Sequence, residues 1–198
     1  MHRPTLVAMI LAAACISAAR AETVLIAKSA YPEGPLWQNG KLLFVEYAGP
    51  GVKVWDGKKA KPYWSAEHCG ASGLIAYRSS HLLVACYDAN TIVELDESGI
   101  EVRVIDKDGA GKSFVGPNDF TSDQASGIYI SASGIFDLKA PIGGAILYLP
   151  RGQDTPTEVA NLIHYPNGLT LSKDGKHLLG GRMATTTLRR TVLAASWS

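Results

Sequence analysis

Lys112-Ser-Phe-Val-Gly-Pro-Asn-Asp-Phe-Thr-Ser-Asp-Gln-Ala-Ser-Gly-Ile-Tyr-Ile-Ser-Ala-Ser-Gly134 is the stretch whose reading decides the fold. It sets a Gly-Pro-Asn-Asp turn at residues 116–119, a polar spacer ending in Gly127, and a short β-like run over residues 128–132. A related phrase returns as Tyr165-Pro-Asn-Gly-Leu-Thr-Leu-Ser-Lys-Asp-Gly-Lys-His-Leu-Leu179. Fainter copies stand earlier, over residues 30–45 and 70–84. Each copy puts a polar residue beside Gly or Pro and then turns into a strand, and such recurrence marks a repeat architecture.

The spacing of the copies narrows the choice. Gly34 and Gly73 lie 39 residues apart, and Asn118 and Asn167 lie 49 apart, within the period of four-stranded propeller blades. In the second copy, residues 73–77, 81–87, 91–95 and 100–105 read as four short strands joined by turns at Asp88-Ala-Asn90 and Ser98-Gly99. That is the anatomy of one blade. The first copy follows the same plan with a hairpin signal at Ala48-Gly-Pro-Gly51, and residues 23–27 read as a further edge strand. No sustained apolar pattern of helical period occurs, so the expected fold is all-β, a β-propeller.

Three full units and the start of a fourth are legible. Gly180-Gly-Arg182 reads as an interruption of an apolar strand, and residues 191–198 carry no blade pattern. The expected organisation is a leader over residues 1–21, a partial propeller over 22–190 and an atypical tail over 191–198. The ring is expected to be incomplete.

The chain has 198 residues, a formal net charge of +1 and 46% hydrophobic residues. That balance offers no basic face for nucleic acid and no acidic tail. Residues 5–19 are apolar and small, and Ala19-Arg20-Ala21 has the form of a signal-peptidase site, which reads as a secretory leader too short to span a membrane. Leu11-Ala-Ala-Ala-Cys15 also resembles a lipobox, so a lipid anchor at Cys15 is the competing reading. Either route exports the chain to the periplasm or the medium. Cys69 and Cys86 are then an even pair in an oxidising compartment, readable as a disulfide or as two buried small hydrophobes.

Loops leading into the innermost strands of a propeller converge on its axis. The equivalent positions here are Glu33, a residue near Ser72, Asn118 and Asn167. One carboxylate and two carboxamides are hard oxygen donors, suited to Ca²⁺, or to Mg²⁺ or Mn²⁺ with waters retained. The competing reading is that Asn and Asp beside Gly or Pro are turn residues. His68 and His164 near the same loops are candidate bases, each more often structural. Trp37, Trp55, Trp64 and Tyr87 read as blade core, with sugar stacking as the alternative.

Glu33-Gly-Pro, Gly116-Pro-Asn-Asp119 and Pro166-Asn-Gly-Leu-Thr-Leu-Ser-Lys-Asp-Gly175 together resemble the signature phrases of the senescence marker protein/gluconolactonase/luciferin-regenerating-enzyme-like family of six-bladed propellers. The resemblance covers residues 30–190. It implies a divalent-metal-dependent hydrolase acting on a small-molecule lactone, such as a sugar lactone or related ester. It further implies Glu33, Asn118 and Asn167 as metal ligands, Asn118 as the catalytic residue facing metal and substrate, and Asp119 as their supporting neighbour. The metal it implies is Ca²⁺ first, with Mg²⁺, Mn²⁺ or Zn²⁺ as alternatives. Lys112 resembles the lead-in of bacterial gluconolactonases, or is simply a solvated loop lysine. An aspartate ligand that relatives draw from a later blade has no counterpart before this sequence ends. An exported metal-stabilised binding propeller, or an inactive fragment of a lactonase, are the other readings.

Overall fold

A computed structural model describes residues 23–137, 139–182 and 191–194, the last as backbone. The leader over residues 1–21, Cys15, and the end of the tail at 195–198 lie outside the described residues. Fifteen strands in four antiparallel sheets and one 3-10 turn (Arg78–Ser80) make up the regular structure of the described residues. The first sheet is β1 (Pro32–Gln38), β2 (Lys41–Glu46), β3 (Gly51–Trp55) and β4 (Ala60–Ser65). The second is β5 (Ala71–Tyr77), β6 (His81–Cys86), β7 (Thr91–Leu95) and β8 (Glu101–Ile105). The third is β9 (Pro117–Ser122), β10 (Ile128–Ala132), β11 (Gly144–Leu149) and β12 (Thr157–Ile163). The fourth is β13 (Pro166–Leu171), β14 (His177–Arg182) and β15 (Thr191–Ala194). In every sheet the strands pair in chain order, the meander of a propeller blade.

The hydrophobic text of each strand follows from where its two faces point. In β6, Leu83 and Ala85 join the core between the second and third sheets, while Leu82, Val84 and Cys86 join the core between the first and second. A strand sandwiched between two neighbours has no water-facing side and reads as a continuous apolar run. β10 and β11 do the same one blade later, sending Ile130 and Leu147 back to the second sheet and Tyr129 and Ile146 forward to the fourth. The innermost strands β1, β5, β9 and β13 pack in sequence, and β1 makes no comparable contact with β13, so the four sheets form an arc. The all-β propeller expected from the repeat is what the structure has.

Turn chemistry explains several of the aspartates. Asn39 (φ 51°) and Gly40 (φ 73°) form the two-residue link between β1 and β2, the left-handed pair such hairpins require. Asp56, Asp96, Asp108 and Asp123 each accept two backbone N–H bonds from residues just downstream, the usual way Asp closes a loop.

Three local expectations need correction. Residues 23–27 form no strand, and Val24 and Leu25 are exposed. Gly180-Gly181 does not interrupt β14: a Cβ on Gly181 would lie 2.6 Å from the Asn167 carbonyl oxygen, so glycine lets β14 approach β13 closely. The tail does not begin at residue 191 either, because Thr191–Ala194 pairs with His177–Gly180 as β15. A short segment paired along one edge shows little periodicity of its own.

Candidate active site

Each inner strand carries one extra residue at the same place. On β1 the pairing steps from Glu33 opposite Val45 to Leu36 opposite Leu43. On β5 it steps from Ala71 opposite Cys86 to Gly73 opposite Ala85. The same step runs from Pro117 to Phe120 on β9, and from Asn167 to Leu169 on β13. A β-bulge bends its strand and re-aims a side chain. Here the bulges hold Glu33, Ser72, Asn118 and Asn167, and all four line one hollow of about 550 Å³ at the inner ends of the blades. The repeat therefore brings together the positions that the sequence marks as equivalent.

Two residues before each of them the backbone is left-handed: Tyr31 (φ 54°), Gly70 (φ 57°), Gly116 (φ 61°) and Tyr165 (φ 47°). Glycine takes this geometry freely, whereas a tyrosine held there costs on the order of 1–3 kcal/mol. At Gly116 only glycine fits, because a Cβ would lie 2.6 Å from the Tyr87 ring and 2.7 Å from the Gly134 carbonyl. Tyr87 fills that space, and its hydroxyl donates to the Gly134 carbonyl at 2.6 Å. Both left-handed tyrosines line the hollow, together with Tyr47, Tyr87 and Phe136.

The four bulge residues differ in how far the protein satisfies them. Ser72 donates to the Pro117 carbonyl at 3.1 Å and ties the second blade to the third. Asp119, next to Asn118, accepts the Leu169 N–H at 2.8 Å and ties the third blade to the fourth. Asn118 is buried, and its Oδ1 has no hydrogen-bond partner among the described residues. Glu33 keeps an exposed flank, yet partial desolvation and then the nearby Asp119 charge raise its carboxyl above the ordinary value. The Tyr165 hydroxyl is pushed up as well, first by burial, then by Tyr87 and by neighbours that include Glu33.

These features bear directly on whether a cation suits the site. Burial and the Asp119 charge raise the proton affinity of Glu33, and a buried carboxamide oxygen lacks a donor. Buried polar atoms are ordinarily paired, and such a set of hard oxygens with one lining carboxylate suits a divalent cation. Among the described residues no group of three or more His, Cys, Asp or Glu offers an alternative metal site.

Other marked residues fall elsewhere. His68 is exposed and His164 is half-buried with an unpartnered Nδ1, and neither lines the hollow. Lys112 pairs with Glu158 at 2.6 Å, away from the hollow. Cys69 and Cys86 are joined by a disulfide. Trp64 is core and Trp55 half-buried, but Trp37 is 65% exposed, contrary to a core role. Tyr87 is a wall of the hollow rather than blade core. Tyr31, Tyr47, Phe136 and Tyr165 went unmarked as an aromatic set, although Tyr31-Pro and Tyr165-Pro stand at the same offset before Glu33 and Asn167.

A family model described as the SMP-30/Gluconolactonase/LRE-like region matches residues 31–197. A comparison with curated proteins finds no match. Among solved structures, a gluconolactonase from Xanthomonas campestris superposes with a TM-score of 0.72 at 19% identity, over 85% of this chain and 60% of that one. A streptogramin B lyase gives 0.59 at 18% identity, over 86% of this chain and 57% of that one. A luciferin-regenerating enzyme gives 0.56 at 18% identity, over 84% and 61%. At these identities the likeness is one of fold, and this chain spans about 60% of the length of the Xanthomonas protein.

Proposed function

This chain belongs to the SMP-30/gluconolactonase/LRE-like family, and from that premise we propose that it hydrolyses a lactone or related cyclic ester at a divalent cation, calcium first, held by Glu33, Asn118 and Asn167. The observation that carries this reading is the shared hollow, in which, among the described residues, Asn118 Oδ1 lacks a partner and Glu33 feels the Asp119 carboxyl with no cationic side chain beside it. In the overall reaction water adds its hydroxyl to the lactone carbonyl carbon. The ring C–O bond breaks, and the ring oxygen leaves with the remaining proton as the hydroxyl of a hydroxy acid.

A bound divalent ion supplies Lewis acidity for such a carbonyl. The chain's own residues do the rest. Glu33 brings the negative charge that retains the ion, and Asn167 adds a neutral oxygen. Asn118 has both a carboxamide oxygen and an N–H pair, so it can serve the ion and also steady charge developing on the carbonyl oxygen. Asp119 acts as the positioning residue, because its bond to Leu169 N–H couples the strands that carry Asn118 and Asn167. Export to an oxidising compartment belongs to the same proposal, and the Cys69–Cys86 disulfide supports it.

Calcium titration of the purified chain, following thermal unfolding and bound metal together, tests the site. A single equivalent should bind and raise the unfolding temperature, with about 2.7 kcal/mol gained at free calcium one hundred times Kd. Glu33→Gln should abolish both effects. Equal calcium binding by wild type and E33Q would remove Glu33 from the ligand set. Chelator-sensitive turnover of a lactone separates the hydrolase from a propeller that only binds.

A further inference from the structure

We propose that the site takes a neutral lactone carrying an aromatic or aliphatic substituent, rather than a polyhydroxylated or anionic one; this rests on the lactonase reading and narrows it. Five of the ten described residues lining the hollow are aromatic. Four of them form a connected strip along its wall. Tyr47 meets Tyr87 at 6.2 Å between ring centroids, Tyr87 meets Tyr165 at 6.2 Å, and Tyr165 meets Phe136 at 5.1 Å, with interplanar angles of 64°, 53° and 58°. Rings packed in this way, one pair edge to face and two pairs tilted, present a continuous apolar wall.

The polar groups of that wall are largely committed. The Tyr47 hydroxyl bonds Asp88 at 3.0 Å, and the Tyr87 hydroxyl bonds the Gly134 carbonyl. The Ser72 hydroxyl is directed to the Pro117 carbonyl. Beyond Glu33, Asn118, Asn167 and the hydroxyl of exposed Tyr31, little remains to pair the several hydroxyls of a sugar, and each hydroxyl buried without a partner opposes binding. No Lys or Arg stands among the described lining residues. Glu33 and the nearby Asp119 add negative charge, so away from the cation a carboxylate or phosphate on the substrate would meet repulsion with no compensating Lys or Arg among the described lining residues.

The far end of the strip shows where a substituent would go. Phe136 is 66% exposed while its ring packs on Tyr165, and Ile135 and Ile142 of the same loop are also exposed. A large apolar surface left in water at the rim of a cavity is the mark of a surface that a ligand covers. With the ring carbonyl at Glu33, Asn118 and Asn167, the substituent lies along Tyr165 towards Phe136. Phe136 is thereby assigned as the residue that determines specificity.

The test compares glucono-1,5-lactone with δ-lactones bearing no, propyl, pentyl and heptyl side chains, assayed with the full chain in calcium. kcat/KM should rise about twofold to fourfold per methylene, the factor for burying one CH₂. Glucono-1,5-lactone should fall below the unsubstituted ring. Phe136→Ala should flatten the dependence on chain length, whereas a merely structural loss would lower all substrates by one factor. A flat wild-type series, or preference for glucono-1,5-lactone, overturns the inference. If no lactone is turned over, the hydrolase reading fails by itself. The matching δ-lactams, followed by calorimetry, then decide the specificity. Tighter binding with chain length that is lost in F136A upholds it, and flat binding overturns it.

Discussion

Two glutamates lie one blade apart and live in opposite surroundings. Glu94 on β7 is fully enclosed, and three partners reach it: the Arg78 guanidinium at 3.0 Å, the His81 ring at 2.6 Å, and Arg103, whose guanidinium also holds Asp154 at 2.9 Å. Burial pushes its carboxyl up, but these partners outweigh it and hold the value down to about 2. Glu33 on β1 has an open flank and no cationic partner among the described residues, and partial burial and then the Asp119 charge raise its value. The first arrangement is complete as it stands and serves the scaffold. The second is incomplete without something positive, which is the signature of a site rather than of a joint.

Breaking the completed cluster should have the largest effect. Glu94→Gln strips the charge from a group enclosed by Arg78 and Arg103, and losing one partner of a buried ionic cluster costs about 3 kcal/mol where the cations keep some solvent. Urea unfolding of E94Q against wild type measures this, and a difference below about 0.5 kcal/mol, the range of ordinary surface changes, would reduce the cluster to decoration.

Stability profiles against pH sharpen the contrast, because the two signs differ. Glu94 is held below its ordinary 4.5, so its contribution is complete above that value and is lost as pH falls towards about 2. Glu33 is raised above the same 4.5, so without metal the molecule is favoured where that carboxyl is protonated, and this advantage fades as pH rises through the raised value. In chelator, E33Q should be flatter than wild type above pH 4.5, and E94Q flatter below it. Superposable wild-type and E33Q profiles would mean that neither burial nor the Asp119 charge shifts Glu33.

The smallest effect on folding is expected at Asn118. Its Oδ1 has no partner to lose, so Asn118→Ala should stay within about 0.5 kcal/mol of wild type in stability. Lactone turnover should nonetheless fall about a hundredfold, as for removal of one group that stabilises developing charge. A protein that loses stability but keeps its turnover per folded molecule would make Asn118 a turn residue only.

The repeat and the strand text were legible because the middle strands of a blade face two cores and must be apolar on both sides, as in Leu82-Leu-Val-Ala-Cys86. Glu33, Asn118 and Asn167 were legible as equivalents because the Pro and Gly around them hold the backbone in one geometry in each blade. The bulges were not, since an extra residue in a strand has no residue type of its own. Nor was the ring of partners around Glu94: they come from the 3-10 turn, β6 and β8, and nothing in the order of residues announces that they meet. Gly181 was misread for a related reason. Its meaning lies in the distance to Asn167, which only the paired strands reveal.

The bulge common to β1, β5, β9 and β13 has a bearing on how such a molecule changes over generations. Duplicating a blade duplicates its aiming device, so a new copy arrives with one side chain already turned towards the axis. The occupants of that slot here are Glu, Ser, Asn and Asn, while the apolar faces that hold neighbouring blades lie elsewhere on the strand. Heredity can therefore rewrite the chemistry one codon at a time and leave the architecture untouched.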